Sequence, residues 1–158
     1  MNARTRLRLQ DYLPYRLSVA SNAASRLIAR AYEQRFGLKI PQWRLIAVLA
    51  DEGALTPQAL CGRTIMDKVT VMRAAQGLLR RRLLRRMPNR KDRRSHRLAL
   101  TRSGARLYRQ IVPLALACEA HLLQGVTPGD VVRLDRLLRQ LERSATAQTF
   151  SLKLQRLG

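Results

Sequence analysis

Residues 56–104 read TPQALCGRTIMDKVTVMRAAQGLLRRRLLRRMPNRKDRRSHRLALTRSG, and this stretch decides the fold. It opens on Thr56-Pro57, a helix-start pair: the hydroxyl caps free amides and proline suits the first helical position. The helix that follows is short, from Pro57 to about Gly62. Asp67 can cap the next one. There Val71, Ala74, Ala75 and Leu78 recur at i, i+3, i+4 and i+7, the spacing of a buried stripe, and the helix is expected to reach about Arg81. Leu83-Leu84-Arg85-Arg86-Met87 then meets Pro88-Asn89, a turn signal. Asn89 to Ser95 is polar and mostly basic, and Arg97-Leu98-Ala99-Leu100 resumes an extended pattern. Two short strands joined by a basic loop are expected.

Helices flank this segment on both sides. Upstream, residues 1–11 are polar and expected to be loose at their start. Leu13, Leu17, Ala20, Ala24, Leu27, Ile28, Ala31 and Tyr32 keep helical spacing until Gly37 ends the run. Pro41 starts a compact second helix closed by Gly53. Downstream, Thr101 can cap a helix from Arg102 to about Gly125, with Pro113 expected to kink it. Thr127-Pro128 repeats the start signal, and Leu134, Leu137, Leu138 and Leu141 share one face of the last helix. The tail from Ser144 keeps Phe150, Leu152, Leu154 and Leu157, too many apolar groups to be merely solvated. The order predicts a mainly α fold with a small β-hairpin: a winged helix-turn-helix over 41–101, within a single domain of 158 residues. The outer helices, 12–37 and 102–145, are apolar over too great a length to pack on that module alone and point to a second subunit.

The charge is concentrated where the hairpin lies. The chain carries 31 Lys and Arg against 10 Asp and Glu, net +21, and residues 62–109 alone hold 16 basic and 2 acidic side chains. Such a surface attracts polyanions. Of the basic residues 27 are Arg. Coding bias would explain the choice of Arg over Lys but not the clustering. No apolar run approaches the ~20 residues of a membrane span. No apolar segment follows the basic start at Arg4, Arg6 and Arg8, so no secretory signal is expected. Cys61 and Cys118 form no disulfide framework or metal finger, which suits a reduced cytoplasmic setting. They read as small core fillers. His96 and His121 have no ligand-spaced partner, and neither a phosphate loop nor a nucleophile motif appears. No enzyme, metal or cofactor is expected.

A helix fits the DNA major groove, and only its outward face can read base edges. With Val71, Ala74, Ala75 and Leu78 turned inward, the opposite face presents Val69, Arg73, Gln76 and Arg80, with Met72 to one side. Arg73 suits guanine, Gln76 adenine and Val69 a thymine methyl. Lys68 and Thr70, at the helix start, suit phosphates. In the loop Arg90, Lys91, Arg93 and Arg94 crowd around one acid, Asp92. A phosphate backbone would neutralise them, and a guanidinium can enter a narrow minor groove. Asp92 is expected to pair with a neighbouring Arg and fix its direction.

Asp92-Arg93-Arg94, followed after five residues by Leu100-Thr101-Arg102-Ser103-Gly104, resembles the DxR…LTxxG signature of the MarR family of bacterial transcription regulators. Leu60-Cys61-Gly62-Arg63 and Asp67–Arg73 resemble that family's third helix and recognition helix. In helix order the resemblance covers about residues 12–145. It implies a homodimer with one winged helix-turn-helix per subunit, dimerising through the first and last two long helices. It implies that Arg94 enters the minor groove and that Asp92 orients the wing. It implies a repressor of a pseudo-palindromic operator, relieved by a small aromatic or anionic ligand bound between the dimer helices and the DNA-binding module. Tyr12, Tyr15, Arg16 and Trp43 are the candidates to line that place, against the alternative that Trp43 is core and Arg16 surface. The family usually has Gly where this chain has Arg82, so that turn either differs or holds Arg82 under strain. Some relatives sense oxidants through a cysteine near the first helix, which this chain lacks. The alternative reading is a basic architectural or RNA-associated protein that binds nucleic acid without sequence preference.

Overall fold

The computed structural model describes residues 7–89, 92 and 94–147. Arg90, Lys91 and Arg93, and the tail with Phe150, Leu152, Leu154 and Leu157, lie outside the described residues. The elements are a 3-10 turn over Leu9–Asp11, α1 (Leu13–Phe36), α2 (Ile40–Glu52), α3 (Pro57–Thr64), α4 (Lys68–Arg80), β1 (Leu84–Pro88), β2 (His96–Leu100), α5 (Arg102–Leu122) and α6 (Pro128–Ala147). The order is the expected one, mainly helical with one hairpin. The 3-10 turn lies at the end of the polar stretch 1–11, whose first six residues lie outside the described residues. The chain divides into two compact units, Met1–Glu119 and Ala120–Gly158.

The first unit is organised around α2, α3, α4 and the hairpin. Leu45, Ile46 and Leu49 of α2, Leu60 of α3, and Val71, Ala74, Ala75 and Leu78 of α4 are buried together with Leu83, Leu84 and Leu98 of the hairpin region. All four residues of the expected α4 stripe are therefore core. Tyr32 at the end of α1 and Ile111 of α5 extend this cluster. Each well-buried Leu or Ile contributes roughly 1.5–3 kcal/mol relative to exposure. The hairpin pairs antiparallel, Leu84 with Leu100 and Pro88 with His96 at its ends. Leu55, between α2 and α3, bridges Leu98 through two main-chain bonds of 3.0 and 2.7 Å. That bridge ties the wing to the helices.

Caps end the helices as the sequence indicates. Thr56 Oγ1 accepts from the Ala59 amide at 3.2 Å, and Thr127 Oγ1 accepts from the Asp130 amide at 3.2 Å. Gly37 takes the left-handed conformation after α1, with φ +60°. α5 runs through Pro113 to Leu122 and stops short of Gly125, whose φ of +80° belongs to the turn before α6.

Ile65, which ends α3, is a finding the sequence did not announce. It is a β-branched residue at φ +52° with its side chain 81% exposed. The left-handed region costs an L-residue roughly 1–2 kcal/mol, and glycine avoids this at an entropic cost of about 0.5–1. Ile65→Gly is therefore expected to raise stability by up to ~1 kcal/mol, read as a higher midpoint of urea unfolding. A lower midpoint would mean that the Ile65 side chain makes stabilising contacts.

Candidate nucleic-acid interface

α4 begins at Asp67, which does two things at once. Its Oδ1 accepts from the Thr70 amide at 2.8 Å and its Oδ2 accepts from the Thr70 hydroxyl at 2.6 Å. These bonds, that from the hydroxyl foremost, hold the Asp67 carboxyl below its ordinary pKa. A depressed folded pKa stabilises above the unfolded value of roughly 3.9, and that contribution is lost as pH falls through the folded value. Unfolding followed from about pH 5 to pH 2 should therefore lose stability more steeply in the parent than in Asp67→Asn, which still caps but cannot titrate. Parallel pH curves would show that the ionised cap contributes nothing.

Beyond this cap, α4 turns Lys68, Val69, Arg73, Gln76 and Arg80 to solvent, with Thr70 and Met72 half-buried at its flanks. The exposed set is the one the sequence indicated. Val69 is 64% exposed, a large apolar surface on an otherwise polar face. Lys68, Val69, Met72, Arg73 and Gln76 together line a shallow cleft on this face. A larger groove of about 490 Å³ separates the starts of α3 and α4 from the wing, lined by Thr56, Pro57, Gln58, Lys68, Met72, Asn89, Asp92, Arg94, Ser95 and His96. Lys68 thus borders both, with Arg94 on the wing side and Arg73 on the helix side.

In the wing, Asp92 Oδ1 accepts from the Arg94 backbone amide at 2.9 Å, and the Asp92 carbonyl accepts from the Ser95 amide at 3.1 Å. Ser95 Oγ in turn accepts from Asn89 Nδ2 at 2.6 Å. The described side-chain bond of Asp92 is thus to main chain; its neighbours Arg90 and Arg93, with which an ion pair was expected, lie outside the described residues. It shapes the turn that carries Arg94, whose side chain is exposed.

The base of the wing is a junction that sequence reading saw only in part. Arg82 stands at φ +56°, so it keeps the left-handed turn and bears the strain that glycine would avoid. Thr101 Oγ1 donates to the Arg82 carbonyl at 2.8 Å and accepts from the Gly104 amide at 3.0 Å. Its own amide donates to the Leu83 carbonyl at 3.0 Å. One threonine thereby caps α5 and closes the strained turn. Beside it, Arg81 Nη1 donates to the Gly37 carbonyl at 2.9 Å and Nη2 to the Phe36 carbonyl at 2.8 Å. A guanidinium from the end of α4 thus satisfies carbonyls at the end of α1, where the helix dipole favours a cation.

The residues proposed from sequence to line a ligand site behave differently from one another. Trp43 is packed against the core, edge-on to Tyr32 at 5.2 Å and stacked on Tyr108 at 5.9 Å. Burial pushes the Tyr32 phenol up to about 12, Cys118 adding to the effect, so it stays neutral. Tyr12, Tyr15 and Arg16 are exposed near the start of α1. Within one chain Trp43 is partly buried and packs against the core.

Residues 36–95 match a family model described as the MarR family. That stretch is similar to MarR-family sequence. No curated protein matches the chain. The fold is shared with solved MarR-family structures. A regulator from Silicibacter pomeroyi is 26% identical, with a TM-score of 0.77, covering 89% of this chain and 93% of its own. A MarR/EmrR regulator from Acinetobacter is 22% identical, with a TM-score of 0.82, over 90% of this chain and 100% of its own. BpsR from Bordetella bronchiseptica, whose DNA binding is regulated by 6-hydroxynicotinic acid, is 23% identical with a TM-score of 0.80, over 87% of this chain and 97% of its own. The MarR-family stretch runs from the end of α1 to the tip of the wing, so it contains the whole exposed face of α4.

Proposed function

We propose that the chain is a homodimeric, sequence-specific DNA-binding repressor of transcription. Its family and fold are those of transcriptional regulators. The carrying observation is α4: a complete inward stripe of Val71, Ala74, Ala75 and Leu78, and a solvent face of Val69, Arg73 and Gln76 flanked by cationic grooves. A helix of ~10–12 Å diameter enters a major groove about 12 Å wide, and these side chains then meet base edges. Lys68, Thr70 and the wing residues Arg90, Lys91, Arg93 and Arg94 hold the backbone, Arg94 reaching into the minor groove, with Asp92 setting the turn.

Dimerisation is supported by apolar surface that one chain leaves open. Leu13, Tyr15, Leu17 and Val19 of α1 are exposed, and so are Leu134, Leu137, Leu138 and Leu141 on one face of α6. Soluble monomers seldom expose such rows. A two-fold dimer presents two recognition helices to half-sites one helical turn apart, roughly 34–36 Å. Sedimentation at working concentrations tests this, and a single subunit would contradict it. The regulation of BpsR by an aromatic acid supports an aromatic or anionic effector here. It would lie near Tyr12, Tyr15 and Arg16 of the dimer helices, with Trp43 behind them, and would act through its differential affinity for DNA-competent and incompetent states.

Selection of bound duplexes from a random pool is the deciding experiment. A recovered pseudo-palindrome preferred over bulk DNA by ~10³-fold or more supports the reading. Equal retention of any duplex would favour a non-specific architectural role. On the selected operator, Arg94→Ala is expected to lower affinity and reduce the salt slope of binding by about 2, one for each subunit. An unchanged slope would remove Arg94 from the DNA.

A further inference from the structure

α4 has a second cationic flank, which faces the start of α2 rather than the wing. A cleft of about 440 Å³ lies there, and Lys39, Gln42, Thr70, Arg73, Gly77 and Arg80 are among its lining. Three of these side chains are cations and no acid lines the cleft. Lys39, Arg73 and Arg80 are all exposed, and among the described residues none is held in an ion pair. Like charges gathered around one concavity repel unless an anion lies among them.

Local packing keeps the cleft open. Gln42 Oε1 accepts from the Lys39 amide at 3.0 Å, which fixes the side chain at the cleft's edge. Its amide nitrogen lies across α4 where residue 77 has no side chain: a Cβ there would stand 2.6 Å from Gln42 Nε2. Glycine inside a helix costs about 1 kcal/mol relative to alanine, and here it leaves room for a hydrogen-bond donor beside two exposed guanidinium groups. Arg73 lines both this cleft and the shallow one on the solvent face of α4. A nucleic-acid strand bordering the groove that α4 enters would therefore pass over both.

We propose that this cleft seats one phosphodiester of duplex DNA, held by Lys39 and Arg80 with the Gln42 amide as a neutral donor. It grips the backbone on the side of α4 that the wing does not cover. The inference rests on the reading of α4 as a recognition helix. It adds residues from outside the recognition helix and the wing, and it assigns Arg80 to the backbone rather than to bases.

The test uses the full chain, its selected operator and the double variant Lys39→Gln/Arg80→Gln, both exposed positions. Affinity is measured from about 50 to 200 mM salt. Loss of one seated phosphate in each of the two subunits should lower the log–log salt slope by about 2 and weaken binding near physiological salt roughly 25-fold, about fivefold per seat. The preference for operator over scrambled duplex should be unchanged, because phosphates carry no sequence. In parallel, single neutral methylphosphonate linkages are scanned along the operator. One linkage in each half-site should cost the parent about fivefold and cost the double variant nothing further. The parent's scan stands whatever the stability of the variant.

A variant slope equal to the parent's, or no linkage whose cost disappears in the variant, overturns the seat. Release of DNA by inorganic phosphate at constant ionic strength, abolished in the variant, would reassign the cleft to a small free anion and overturn it too. If the parent selects no operator at all, the reading of α4 fails. If it selects one and the variants keep their slope, only the seat fails.

Discussion

Gly104→Ala is expected to destabilise the chain by ~3 kcal/mol, near the upper end of what overpacking costs. A Cβ built at Gly104 would collide with the Leu83 carbonyl oxygen, a main-chain atom, and would press on Leu100 as well. Neither neighbour is free to move. The Leu83 carbonyl accepts from the Thr101 amide at 3.0 Å, and Leu100 is paired with Leu84 in the hairpin. Moving α5 away to make room would break the bonds from Thr101 to Arg82 and from Gly104 to Thr101. The wing's base would then shift relative to α4. Urea unfolding should show a midpoint well below the parent's, with Ser103→Ala, an exposed neighbour, close to the parent. Gly77→Ala makes the useful contrast. Its Cβ meets only the end of the Gln42 side chain, which can shift by giving up its bond from the Lys39 amide; that loss and the gain in helix propensity are each about 1 kcal/mol, so stability should stay close to the parent's. A Gly104→Ala protein with an unchanged midpoint would show that the α5–wing contact is softer than the geometry implies.

The same junction shows what a sequence discloses and what it withholds. Caps and stripes are local: Thr56-Pro57, Asp67, Thr101 and Thr127-Pro128 mark helix starts by chemistry acting within three residues, and the structure places each there. The α4 stripe was legible because a helix repeats every 3.6 residues whatever it packs on. Gly104 was visible as part of a signature, but its reason is a carbonyl across the chain. Arg81 could not be read at all, since its partners Phe36 and Gly37 lie 45 and 44 positions away and basic residues surround it in sequence. Leu55 joins the sheet as one residue, too short for any alternation to reveal. Ile65 hid because nothing about isoleucine announces positive φ. Of the candidate site, the exposed face of α4 followed from the stripe by subtraction. The cleft at Lys39 and Gln42 did not, because it is made by two helices meeting across a glycine.

Arg73→Ala should separate reading from holding. Among the described residues no hydrogen bond or ion pair ties Arg73 to the protein, and its side chain is exposed, so the fold should not notice its loss. At the DNA the loss should be large. A guanidinium paired in two bonds to guanine is worth roughly 1–3 kcal/mol of discrimination against the wrong base, and alanine makes neither bond. The operator, met by one Arg73 from each subunit, should therefore bind on the order of a hundredfold more weakly, and substitutions at one symmetric pair of base positions should cease to matter. Bulk DNA should be affected less, because Lys68, Arg80 and Arg94 still meet phosphates. The salt slope consequently falls by at most about 2, one for each subunit, whereas the operator preference falls by the full factor. This pattern reverses the one expected of Arg94→Ala, where slope moves and preference stays. Lysine at 73 restores the charge without the planar fork, so it should recover bulk affinity but little of the preference. A profile of operator variants identical for Arg73→Ala and parent would move the reading face elsewhere on α4, with Gln76 and Val69 as the remaining candidates for base contact.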